Sequence, residues 1–412
     1  MRLSTTLFAI LFVGAPAWAG DWPQWLGPNR DGNSIETIGV WKDAPKIVWR
    51  KPVGEGHSSP IVADGKVFLL HRVPNKNAEQ LTVWNARTGE PLSTIQYDRP
   101  QYSNPFGAGP RATPIYHGGA VYSIGVTGLL LKATVAADGQ MKQVFLIDIL
   151  KEFQAKNLFF GVSASLLIDN GNLLLMTGGK GAGVVSLSCR DGSVNWKVSD
   201  DGASYASPIV VGEGSNRNAV FLTQKGLSGL APKDGKVIWN YPFKDALSES
   251  STTPVQIGQH LLASSVTLGS VLLKFTTKDN SPSVEKVWHN KELNCYFSTP
   301  AIVGDHVYMV TAGGNFAQPK LMLRCVEIAT GNTLWSKPDV GRFHAALLRT
   351  GNNRLLMLDD RGKLTLIQPE PKEYRELATA KVCGQTWAHP ALADGLLYLR
   401  DDKEILCIEM PK

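Results

Sequence analysis

Eight side chains able to carry charge, hydrogen bonds or ring stacking stand at matching points of this 412-residue chain: His57, Arg111, Tyr205, Tyr296, Arg342, His344, Trp387 and His389. Each lies just ahead of a short apolar run, and most of those runs open on Ser-Pro, Thr-Pro or His-Pro. Brought together, such a set makes a funnel of imidazoles, guanidiniums and rings suited to an anionic, flat or peptidic ligand. A second set, Arg72, Lys180, Lys225, Arg361 and Arg400, falls in the turns after the second apolar run of a unit. The same side chains equally serve to satisfy strand ends and to fill a channel with water.

Sharper chemistry finds less support. His57, His344 and His389 suit a transition metal only if they converge; neither a His-Glu-x-x-His pair nor clustered carboxylates accompany them, so no metal is expected. Gly178 to Gly183 looks like a phosphate cradle around Lys180, but no Ser or Thr follows the Lys and no helix pattern follows the loop, so a strand-to-strand turn is expected. With no Gly-x-Ser-x-Gly elbow and no Ser/His/Asp arrangement, no catalytic residue is expected.

The elements that must position these residues are repeats. Tyr205 to Trp239 shows one unit in full: Ile209-Val210-Val211, Ala219 to Leu222, Leu227 to Ala231, the turn Lys233-Asp234-Gly235-Lys236, and a last run ending on Trp239. Aligned on the position of Pro208, the units fall at 60, 114, 165, 208, 254, 300, 346 and 390, with intervals of 54, 51, 43, 46, 46, 46 and 44. A period near 45 with four strands per unit is the signature of propeller blades. The eighth unit stops after its third strand, Ile405 to Ile408, while Lys46 to Arg50 is a strand with no unit of its own. Letting the N-terminal strand complete the eighth blade closes the ring and leaves no open sheet edge. The expected fold is therefore all-β, an eight-bladed β-propeller of four-stranded antiparallel blades over residues 44–412. Residues 20–43, with Trp22, Trp25 and Trp41, are expected to form a cap segment packed on the main body. Two insertions break the rhythm: a Pro/Gly-rich loop at 98–110, and 146–160, where Leu146, Ile149, Leu150 and Phe153 predict a short helix capped by Asp148. The recurrent Trp49, Trp196, Trp239, Trp288 and Trp335 predict packing between blades, since a ligand site needs one such residue and not five.

Composition bounds the rest. A net charge of +6 without a Lys/Arg block argues against nucleic acid. Residues 1–19 read as a signal peptide: Arg2, an apolar core from Leu7 to Val13, then Ala17-Trp18-Ala19 as a cleavage site. Later segments lack 18 consecutive apolar residues, so no transmembrane anchor is expected, and no Cys near the cleavage site supports a lipid anchor. The expectation is an exported monomer of the periplasm or exterior. Five Cys, an odd number without a Cys-x-x-Cys pair, show no disulfide framework and leave at most one bridge open.

The turns Asp191-Gly192…Trp196, Asp234-Gly235…Trp239 and Thr330-Gly331…Trp335 resemble the tryptophan-docking repeat of quinoprotein-like propellers. That superfamily includes alcohol dehydrogenases dependent on pyrroloquinoline quinone (PQQ) and the outer-membrane assembly scaffold BamB. Asp21 to Gly32, with Gly109-Pro110-Arg111-Ala112-Thr113-Pro114, is similar to a group of exported PQQ-repeat proteins known mainly from planctomycete-type bacteria. For a dehydrogenase the resemblance implies PQQ held by an adjacent Cys pair and a facing Trp, with Glu, Asn and Asp around Ca²⁺. This chain has no adjacent Cys pair, and Trp387 is the ring on offer. The expectation is a non-catalytic scaffold of the cell envelope, without cofactor, presenting the funnel and top-face loops to a protein, peptide or glycan. The alternative is a PQQ-dependent oxidoreductase with a divergent site.

Overall fold

A computed structural model describes residues 20–412 except 215–216, 279–280 and 316–317. The expected signal peptide, residues 1–19, lies outside the described residues. The innermost strands, Ile61–Ala63, Ile115–His117, Leu167–Asp169, Ile209–Val211, Val255–Ile257, Ala301–Val303, Ala345–Arg349 and Ala391–Ala393, each open a four-stranded antiparallel sheet, and eight such sheets form the ring. Short strands of Val, Ile and Leu parted by Asx-Gly turns cannot extend into helices and bury both faces between neighbouring sheets. Ring closure is as expected: Ile47–Pro52 pairs antiparallel with Glu404–Glu409, Trp49 opposite Cys407, as the outer strand of blade 8.

The tryptophan repeat works by docking on the next blade. The Trp49, Trp196, Trp288 and Trp335 indoles donate to the carbonyls of Ala86, Pro232, Ile328 and Glu370 at 2.8, 3.1, 2.8 and 2.8 Å. Three of those turns, at Gly89, Gly235 and Gly331, need Gly twice over, for a left-handed φ and for room under the ring: at Gly235, φ is +74° and an added Cβ would stand 2.5 Å from the Trp196 ring. Trp239 is the exception. Its indole nitrogen has no hydrogen-bond partner among the described residues, and the ring packs on Phe275 of the long hairpin Gly269–Lys278 and Ser281–Asn290 in blade 5 instead. Gly235→Ala is expected to cost roughly 2–4 kcal/mol, backbone strain plus overpacking. Gly118→Ala, at φ +58° with nothing within 4 Å of the new methyl, should cost about 1 kcal/mol. Equal denaturant midpoints for the two variants would contradict Trp docking.

A chain of hydroxyls ties the inner strands together where they begin, on the top face. The His389 amide donates to Ser59 Oγ at 2.9 Å, the Ser59 amide to Thr113 Oγ1 at 3.2 Å, the Thr113 amide to Ser165 Oγ at 3.0 Å, and the Ser165 amide to Ser207 Oγ at 2.9 Å. Ser165 therefore matches Ser59 and Ser207, so the position of Pro208 in blade 3 is Leu166, one residue later than the sequence alignment places it. The predicted helix is also shorter than expected. It is one turn, Ile149–Glu152, capped by Asp148 accepting the Lys151 amide at 3.0 Å, because Leu146 belongs to the outer strand Met141–Asp148 of blade 2.

Residues 20–43 do more than lie on the surface. Trp22 bridges Val62, the Pro23 carbonyl accepts the Tyr116 amide, Arg30 donates to the Leu166 carbonyl at 2.8 Å, and Asn33 bridges Arg349. Contact with the inner strands of blades 1, 2, 3 and 7 places this segment on the ring axis, as a plug. No helix among the described residues is long and apolar enough to cross a membrane.

Candidate functional site

Every blade delivers at least one side chain to a cavity of about 100 Å³ at the top of the axis: His57, Arg111, Phe160 with Ser163, Tyr205, Ser251, Phe297, His344 and Trp387, in blade order. Propeller topology explains the convergence, because each residue precedes its blade's inner strand. Of the sequence candidates, His57, Arg111, Tyr205, His344 and Trp387 thus share one wall. His389 sits just beneath, its ring 5.4 Å from His344 and 4.8 Å from Trp25. Tyr296 is set back, stacked on Phe297 at 3.8 Å with its hydroxyl donating to Glu249. Arg342 lies outside the cavity, in a neighbouring groove.

Trp25 of the plug forms the floor, its indole donating to Thr253 Oγ1 at 2.9 Å. Sequence reasoning left it as a packing residue of a cap; the available signal was a Trp-rich segment with no strand to support. Phe160 was likewise unassigned, although it lies in one of the two insertions. Those insertions meet: Tyr102 Oη and Asn104 Nδ2 both donate to the Phe159 carbonyl at 2.9 Å. They bring Phe106 to 5.8 Å from Phe160 and 5.9 Å from Trp387, roofing part of the mouth with rings.

The lining combines buried, neutral imidazoles with one fixed cation, Arg111. Burial, with Arg111, Arg400 and His344 nearby, holds the His57 imidazole well below its usual range. Burial lowers His344 to about 4 and, with His344 beside it, holds His389 well below its usual range. All three rings are neutral at pH 7. The Arg111 guanidinium is engaged by the carbonyls of Gly109, Gly107 and Phe106 at 3.1–3.3 Å and lies 5.9 Å from the Phe160 ring centre. His344 Nε2 and Trp387 Nε1 are buried without a partner among the described residues. They can accept or donate to something small entering the cavity.

The second set of candidates behaves differently. Arg72 pairs with Glu55, Lys225 with Asp201 at 2.6 Å, and Arg361 with Asp339 at 2.8 Å, while Lys180 is exposed. Arg400 is not a loop side chain at all. It is 1% exposed and donates to the Gly54 carbonyl at 2.7 Å and the Asp401 carbonyl at 2.9 Å, filling space between blades 8 and 1.

A closed ring of eight blades, Trp-docked and carrying a funnel on its axis, defines a propeller of the PQQ-repeat class. The chain belongs to the family described as outer membrane protein assembly factor BamB, whose model matches residues 77–335. No curated protein matches the sequence. Among solved structures it is similar to the quinohemoprotein alcohol dehydrogenase of Comamonas testosteroni, at 12% identity and TM-score 0.63, covering 96% of this chain and 82% of that one. BamB of Moraxella catarrhalis is similar at 12% identity and TM-score 0.57, with 89% and 100% covered. A europium-containing methanol dehydrogenase follows at 10% identity and TM-score 0.60, with 92% and 89% covered. At such identities the likenesses show the fold.

PQQ with Ca²⁺ is the group this fold class implies, and the residues present do not fit it. The Trp387 ring is stacked on Phe297 at 5.4 Å and flanked by His57 and Phe343 at 5.0 and 5.7 Å, so its faces are taken by protein. The cavity, about 100 Å³, is below the roughly 300 Å³ at which pockets for larger organic ligands begin. The five Cys are free and buried. Among the described residues no three His, Cys, Asp or Glu side chains converge in a metal-like set.

Proposed function

We propose that this protein is an exported, non-catalytic binding scaffold of the cell envelope, whose top face and funnel mouth receive a protein, peptide or glycan. The observation that carries this reading is how the funnel's polar groups are used. Arg111 is bound to carbonyls, three imidazoles are neutral, and Trp25 closes the floor. What remains open to solvent is a rim of rings, with Phe106 and Phe159 40% and 62% exposed. A rigid ring presents such a rim with little further ordering cost on binding. Envelope location rests on the signal-peptide pattern and on the family's printed description.

The competing reading, a PQQ-dependent oxidoreductase, rests on fold likeness to dehydrogenases. Incubating the purified mature protein with PQQ and Ca²⁺, while following quinone absorbance and dye reduction over alcohols and sugars, separates the two. The scaffold reading expects no saturable binding and no dye reduction. Saturable quinone binding with turnover would overturn it.

A further inference from the structure

A depression of about 830 Å³ forms a groove between blades 6 and 7 that no sequence motif announced. Blade 6 builds one wall with the long hairpin His306–Asn315 and Gln318–Glu327, whose outer partner strand is Thr333–Pro338. Pro319, Leu321 and Pro338 give that wall an apolar surface, and Phe343 closes the inner end. There the groove joins the funnel mouth, because the Phe343 ring lies 6.4 Å from exposed Phe106 and 5.7 Å from Trp387.

Its charge is one-sided. Lys320, Arg342, Arg361 and Lys381 line it against two carboxylates, Asp339 and Asp360. Both carboxylates are committed: Asp339 to Arg361 at 2.8 Å, and Asp360 to the backbone amides of Arg342 and Phe343 at 2.9 and 2.7 Å. Lys320 and Arg342 are exposed and have no carboxylate partner among the described residues. Arg342 is moreover held in place, its guanidinium 4.8 Å from the Phe343 ring centre. An apolar trough with two cations unpaired among the described residues, one of them held over a ring, and an aromatic end complements an extended chain bearing carboxylates and one large apolar side chain.

We propose that this groove binds an acidic, extended peptide segment, carboxylates against Lys320 and Arg342 and an aromatic or large aliphatic side chain against Phe343 and Phe106. This rests on the scaffold reading and names the ligand class for one part of the top face.

Fluorescence anisotropy of dye-labelled pentapeptides with the full mature protein tests it. A peptide of alternating Asp and Glu ending in Phe is expected to bind saturably and to weaken severalfold when salt rises from about 0.05 to 0.5 M. Replacing its Phe by Ala, or its acids by Lys, should each weaken binding about tenfold or more, the loss of one buried anchor or reversed charge complementarity. The double variant Lys320→Glu/Arg342→Glu should lose binding about tenfold or more while melting like the parent, since both side chains are exposed. Phe106→Ala should reduce binding of the Phe peptide and leave the weak Ala peptide unchanged. Equal binding of acidic and basic peptides, an unaffected double variant, or no binding at millimolar peptide overturns the proposal. Polygalacturonate binding without peptide binding also overturns it and reassigns the groove to an anionic glycan. A partner found elsewhere on the top face would then leave the scaffold reading intact, whereas quinone turnover would remove that reading independently of the groove.

Discussion

Deleting residues 44–52 is expected to give protein that is insoluble or melts at least about 10 °C below the parent. The deletion removes the outer strand of blade 8 and with it Trp49, which is 7% exposed, donates to the Ala86 carbonyl at 2.8 Å and covers Gly89 of blade 1. Loss of one such indole costs about 3–5 kcal/mol, and each kcal/mol is worth about 2–4 °C in a domain of moderate size. The Glu404–Glu409 strand would also become an open edge, a template for aggregation. A permuted chain with residues 44–52 re-attached after Lys412 should recover most of the loss. The ends are already adjacent: the Glu409 amide donates to the Lys46 carbonyl at 2.8 Å and the Gly39 amide to the Pro411 carbonyl at 2.7 Å. A deletion that melts like the parent, or a permutant that rescues nothing, would contradict closure by the N-terminal strand.

Acidification should destabilise the fold well before ordinary carboxylates titrate. His57, His71, His344 and His389 are buried with depressed pKa values, about 4 for His71 and His344, chiefly through desolvation; Arg400 adds to the effect at His71 and, with Arg111, at His57. Their unfolded forms titrate near the ordinary imidazole value of 6.5. Below pH 6.5 the unfolded chain therefore takes up protons that the folded one refuses, so stability is full above that pH and is lost as pH falls; for His344 the loss levels off near pH 4. At pH 5 each such histidine has removed about 2 kcal/mol. Buried Glu79 and Asp359, and Asp402 as well, are shifted upward, so the folded state protonates them first and they work in the opposite direction. His344→Asn isolates the effect. Urea-unfolding free energy plotted from pH 7 to pH 5 should flatten by about one proton's slope relative to the parent. An unchanged slope would mean that His344 is not held neutral in the folded state.

Much of the fold was legible in the sequence because its determinants are local and repeated. A turn Gly under a Trp ring recurs at Gly89, Gly235 and Gly331, and a Ser or Thr ahead of an inner strand recurs at Ser59, Thr113 and Ser207. Convergence of His57, Arg111, Tyr205, His344 and Trp387 followed from ring topology alone. What stayed hidden depends on long-range docking without a periodic signal. Nothing in Trp25 says that it crosses the axis to reach Thr253, 228 residues away. Nothing in Phe106 says that two insertions meet above the funnel. Arg400 looks like a loop cation because the turn around it is polar, yet the carbonyl of Gly54, 346 residues distant, draws it inward.

The claim that this propeller works through its top face is tested most directly by position-resolved photo-crosslinking in intact cell envelopes. A photoreactive amino acid at Phe106 or Phe159, compared with one at Ile35 on the opposite face (74% exposed), samples the two faces of one rigid ring. The account predicts one discrete adduct shared by positions 106 and 159, reduced by Lys320→Glu/Arg342→Glu if the groove takes part, and none from position 35. Adducts from position 35 with none from the top face would contradict it.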